Sequence, residues 1–78
     1  MSPDRLAYMA NQIGTFFAHQ PHDKAVAAIE DHLRKFWDKR MRAGIIAALE
    51  AEAVQLDPPV RAAVERLRAP AGQAVAAG

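Results

Sequence analysis

Leu6, Met9, Ala10, Ile13, Phe16 and Phe17 recur at i, +3, +4, +7, +10 and +11. That spacing lays one apolar stripe along a helix running to about Ala18. Its start is written in Ser2-Pro3-Asp4: an N-cap hydroxyl, a proline suited to the first helical position, and an acid at the positive helix end. Gly14 interrupts the stripe at a cost of about 1 kcal/mol against alanine, which predicts a close backbone approach there. Pro21 disfavours helix in the residue before it, so His19-Gln20-Pro21-His22 reads as the break. Asp23 then reads as the cap of a second helix, with Val26, Ile29, Leu33, Phe36 and Trp37 on its stripe and Lys24, Asp31, Arg34 and Lys35 facing away. No glycine or proline closes it; Asp38, as the next N-cap, opens a change of direction after Phe36-Trp37.

The third stripe is Met41, Ile45, Ala48, Leu49 and Ala53, with Ile46 beside it, and the helix is expected to run to about Gln55-Leu56. Asp57-Pro58-Pro59 is a strong start signal for a fourth helix, with Val60, Ala63, Val64 and Leu67 on one face and Pro70 and Gly72 ending it. No stretch alternates with period two and no repeat is visible. The expected fold is all-α: a small bundle of four short helices in one domain over 1–70, followed by a flexible C-terminal tail at 71–78 that has neither charge nor periodicity.

Composition makes this bundle thin. Hydrophobic residues are 51% of 78, but 18 of them are alanine, which leaves 22 large apolar side chains. Such a core is either marginal alone or completed by a partner. The absence of cysteine excludes disulfides, thiolate zinc sites and iron–sulfur ligation within the sequence. No apolar run approaches the ~18 residues of a bilayer span, and Met1-Ser2-Pro3-Asp4-Arg5 lacks the apolar region of a secretory signal. Neither a membrane nor an exported location is expected. A net charge of +1 is too even for a general nucleic-acid binder.

Catalytic groups are sparse. His19 and His22 flank a proline turn and read as solvated, and His32 lies at the edge of the second stripe as a boundary histidine. Glu30-Asp31 and Glu50/Glu52 are one or two residues apart, so neither pair shares a helix face. Ser2 and Thr15 lack an adjacent base, and the four glycines are isolated, so no phosphate loop forms. Neither a catalytic, a cofactor-binding nor a metal site is expected on this chain.

Two features point instead to a partner. Four of the five aromatics come as adjacent pairs, Phe16-Phe17 and Phe36-Trp37. Neighbouring helical side chains diverge by about 100°, so a narrow buried face cannot take both. Either both pairs close one end of the core, or one member of each reaches the rim as a hydrophobic dock, with Trp37 the first candidate anchor. The second feature is a basic cluster. Arg34, Lys35, Lys39, Arg40 and Arg42 are opposed only by Asp38 within nine residues. It reads as a solvated surface or as a dock for an acidic partner, with Arg40 and Arg42 turned outward on either side of Met41.

Met9-Ala10-Asn11-Gln12-Ile13-Gly14, Phe16-Phe17, Ala25, Ile29, His32, Phe36-Trp37-Asp38 and Arg40-Met41-Arg42 together resemble the delta subunit of NAD-dependent, molybdenum-containing formate dehydrogenases. The similarity continues through Leu56, Pro58 and Val60 to Leu67 and departs at Lys39, where the family pattern has proline. The resemblance implies a non-catalytic accessory subunit of a cytoplasmic complex that oxidises formate to carbon dioxide and reduces NAD⁺. It further implies that the redox centres lie elsewhere: bis-molybdopterin guanine dinucleotide and iron–sulfur clusters on the large alpha subunit, FMN on beta, and a further cluster on gamma. Binding to alpha would be the main role of this chain, through Phe16, Phe17, Phe36, Trp37, Arg40, Met41 and Arg42. A transient factor for molybdenum-cofactor insertion is the alternative, and a small basic nucleic-acid binder a distant third.

Overall fold

The computed structural model describes residues 1–68 and folds them into four helices: α1 (Pro3–Phe17), α2 (His22–Phe36), α3 (Lys39–Glu50) and α4 (Pro58–Arg68). The tail expected at 71–78, with the Pro70 and Gly72 stop signals, lies outside the described residues. Among the described residues there are no strands.

Three starts follow the local chemistry. Ser2 caps α1, its hydroxyl accepting the Arg5 N–H at 3.2 Å, with Pro3 in the first turn. Asp38 caps α3, its Oδ1 accepting the Met41 N–H at 2.8 Å. Pro58 opens α4, and the Asp57 carbonyl accepts the Arg61 N–H at 2.8 Å. The start of α2 differs from expectation. Pro21 occupies the cap position with no side-chain hydrogen bond, and its carbonyl accepts the Ala25 N–H at 2.9 Å. Proline already holds the extended conformation a cap needs (φ −55°, ψ 151°), so Asp23 falls in the first turn and acts on the helix dipole instead.

The end of α3 also differs. The helix stops at Glu50, five residues before Gln55. Glu52 takes a left-handed φ of 52°, the Ala53 N–H donates to Ala48 O and the Glu52 N–H to Leu49 O, both at 3.0 Å. This is a Schellman closure, with glutamate where glycine usually stands. Ala53, placed on the apolar face by the periodicity, is thereby carried outside the helix and exposed.

One core joins all four helices. Leu6, Ala7 and Ala10 of α1 meet Val26, Ile29 and Leu33 of α2, Ile45 and Leu49 of α3, and Val60, Ala63, Val64 and Leu67 of α4. α2 packs chiefly against α4, while α1 lies across the other three. Gly14 is buried at the predicted close approach: a Cβ there would come within 2.3 Å of Val60 Cγ2. Among the described residues no polar or charged side chain is buried, and no buried side-chain polar atom lacks a partner.

Polar side chains tie the helices at the surface. Asn11 of α1 donates through Nδ2 to Gln55 O and accepts the Asp57 N–H at Oδ1, each at 3.0 Å, pinning the α3–α4 connection to α1. Glu30 bridges Arg34 at 3.0 Å and Arg66 of α4 at 3.4 Å. Arg34 also donates to Arg66 O at 3.2 Å, reaching the last turn of α4.

Candidate docking face

α2 ends between the two members of its aromatic pair. Phe36 is its last helical residue, whereas Trp37 leaves the helix with extended backbone (φ −87°, ψ 137°). That break turns the two side chains apart. Trp37 enters the core at 5% exposure and Phe36 stands in solvent at 71%. Trp37 is therefore not a surface anchor, contrary to its place as first candidate. In the folded chain Phe36 is the exposed member of the pair.

The α1 pair divides the same way. Phe16 is 74% exposed, while Phe17 is half-buried against the core. The divided pairs meet on one surface. The Phe16 and Phe17 ring centroids lie 5.1 Å apart, edge to face at 86°. Phe17 and His32 follow at 6.5 Å, and His32 and Phe36 at 4.8 Å. These separations fall in the range of attractive aromatic contacts. The four rings form a continuous strip from the end of α1 to the end of α2. Beside the strip lies a groove of about 320 Å³ lined by Gln12, Ile13, Phe16, Phe17 and His32.

His32 was legible only as a boundary residue. The missed signal was its position four residues before Phe36, which puts both rings on one face of α2. Half-buried between the Phe17 and Phe36 rings, it continues the aromatic surface from one to the other.

The Arg40-Met41-Arg42 turn splits into three roles. Arg40 is exposed and has no ion-pair partner among the described residues. Met41 packs partly on the core and lines a second groove, about 390 Å³, with Met1, Leu6, Asp38, Arg40 and Gly44. Arg42 does not point outward to match Arg40. It is half-buried and folds back over the end of α2, its Nη1 donating to Arg34 O at 3.2 Å and to Trp37 O. The last carbonyls of a helix lack internal partners and carry its negative end, so a guanidinium satisfies both needs. This corrects the expectation that Arg42 is a partner-facing cation.

His19 and His22 are exposed, and among the described residues no group of three or more His, Asp or Glu converges as a metal site. No helix is long and apolar enough to cross a membrane among the described residues. The chemistry this surface offers is apolar contact along the aromatic strip, with Lys39 and Arg40 exposed three and four residues beyond Phe36 in the sequence.

The family model for the NADH-dependent formate dehydrogenase delta subunit FdsD matches residues 5–64. That stretch includes α1 from Arg5 onward, all of α2 and α3 and the first two turns of α4, and so the whole aromatic strip. No curated protein and no solved structure matches the chain.

Proposed function

The chain belongs to the FdsD family of formate dehydrogenase delta subunits, and from that premise we propose that it is a non-catalytic subunit retained in the mature, cytoplasmic enzyme. It stabilises the complex by docking on the large alpha subunit through the Phe16–Phe17–His32–Phe36 face. In this reading the chemistry of formate oxidation belongs to the other subunits: bis-molybdopterin guanine dinucleotide and iron–sulfur clusters on alpha, FMN and the NAD site on beta, a further cluster on gamma. The delta chain holds no redox centre.

The observation that supports the reading is the exposure of Phe16 and Phe36, at 74% and 71%, in a chain with a thin core. Covering a large apolar side chain removes it from water for about 1.5–3 kcal/mol each, so a partner surface over both rings gains several kcal/mol. The loss of rotational and translational freedom on association is of that order or larger, so contacts beyond the two rings must share the work.

The test is purification of the enzyme through an affinity tag on the large subunit, with the delta chain quantified by intact-mass spectrometry. One delta chain per large subunit is expected in fully cofactor-loaded enzyme. The Phe16→Ser/Phe36→Ser double variant is expected to be lost from it. A chain that accompanies only cofactor-free enzyme would instead be an assembly factor, and one that follows beta or gamma in the absence of alpha would refute the assignment to alpha.

A further inference from the structure

The aromatic strip is electrically lopsided. From Leu6 to His22 the sequence contains no Asp, Glu, Lys or Arg, so the Phe16 end is formally neutral. Residues 30–42, around the Phe36 end, hold five cations and three carboxylates. The structure shows which of these charges are free. Arg34 is paired with Glu30 at 3.0 Å, and Lys35 with Asp31 at 3.2 Å. The Asp38 carboxylate accepts the Met41 N–H and Arg42 folds onto the carbonyls ending α2; both stay charged, and their opposite signs offset. Lys39 and Arg40 remain, both exposed and without an ion-pair partner among the described residues. They follow Phe36 by three and four residues, so chain length alone keeps the Lys39 Cα within about 11 Å of the Phe36 Cα.

An apolar strip with a neutral end and a cationic end is a directional seat. We infer that it takes an apolar segment of the large subunit flanked on one side by carboxylates, oriented with its acidic end over Lys39 and Arg40 and its uncharged end over Phe16. The inference rests on the docking reading above and adds the chemistry and polarity of the bound segment. Charge complementarity selects this occupant. A basic or uniformly apolar segment would leave two cations facing like charge or desolvated without a partner, which opposes docking. A second copy of the chain does not fit: two strips paired antiparallel would set Lys39 and Arg40 against the uncharged Phe16 end, and two paired parallel would set these cations against each other.

The test is photocrosslinking in the assembled enzyme, with p-benzoylphenylalanine placed at position 16 in one variant and at position 36 in another. The crosslinked peptides are identified by mass spectrometry. Both positions are expected to mark one segment of the large subunit, with Asp or Glu within a few residues of the position-36 crosslink and none beside the position-16 crosslink. A second arm reverses charge with Lys39→Glu/Arg40→Glu. The variant's helical signal and melting are checked first; neither side chain makes an ion pair among the described residues. Its retention on the tagged large subunit is expected to fall about tenfold at ~50 mM salt, and the gap to wild type to narrow by ~500 mM, where charge screening acts within a few Å. Acidic residues at the position-16 end, a crosslinked segment without carboxylates, or unchanged retention of the charge-reversed variant overturns the inference and leaves the accessory-subunit reading standing. Wild-type chain that is retained but crosslinks from neither position overturns the seat itself. Wild-type chain that the large subunit does not retain overturns both.

Discussion

The side chain of Asn11 holds the backbone of Asp57: its Oδ1 accepts the Asp57 N–H at 3.0 Å, across 46 residues of sequence. Its Nδ2 donates to the carbonyl of Gln55, also at 3.0 Å, so one amide grips both sides of Leu56. Asn11→Ala is expected to lower stability by about 1–2 kcal/mol, the net worth of two such bonds. Asn11→Asp keeps the acceptor and loses the donor, and is expected to fall between alanine and wild type. Urea melts followed by circular dichroism measure both, and equal stability of all three proteins would show that the clamp contributes nothing.

Gly14→Ala sets two effects against each other. Helix propensity favours alanine by about 1 kcal/mol. The new Cβ, however, would lie 2.3 Å from Cγ2 of Val60, a fully buried and stiff β-branched residue. Overpacking of this kind costs about 1–3 kcal/mol, so a net loss is expected. In a Val60→Ala background the obstruction is gone and the sign should reverse. A double-mutant cycle reads the coupling directly.

The two members of the second aromatic pair should behave oppositely. Trp37→Ala empties a core position and is expected to cost about 3–5 kcal/mol, enough to unfold much of the isolated chain. Phe36→Ala removes an exposed ring and should change stability by no more than about 0.5 kcal/mol. Thermal melts of the two variants side by side decide it; similar losses would mean that Phe36 supports the fold.

Arg40 and Arg42 should part in the same way. Arg42→Gln gives up a charged donor to two carbonyls at the end of α2 and is expected to destabilise by about 1–2 kcal/mol. Arg40→Gln should leave the melting temperature of the free chain unchanged. Equal effects in chemical denaturation would argue against the capping role of Arg42.

Three of the four helix starts were legible because their chemistry is local; at α2 the proline took the cap position from Asp23. Ser2-Pro3, Asp38 and Pro58 each act within a few residues of where they stand. The end of α3 was not, because Glu52 occupies the left-handed position that glycine or asparagine would have announced. The aromatic pairs were legible as pairs, and the bundle as all-α. Which member of Phe36-Trp37 turns inward depends on a helix ending between them, a one-residue matter that a 3.6-residue period cannot resolve. Arg42 and Asn11 were misread or missed for another reason. Their partners are backbone groups at a helix end or 44 to 46 residues away, which leave no trace in spacing.

The packing of α2 on α4 bears on how the chain is made. Val26, Ile29 and Leu33 find Val60, Val64 and Leu67 only after α3 and the Gln55–Asp57 connection exist. During synthesis, which proceeds at about 5–20 residues per second, the apolar face of α2 therefore emerges seconds before the helix that covers it. In that interval Leu33 lacks the α4 side of its packing, and the buried face of α2 is not yet fully set apart from the exposed one. A binder of the nascent chain would then meet a different surface from the one the folded chain presents, the two separated in time by the arrival of α4.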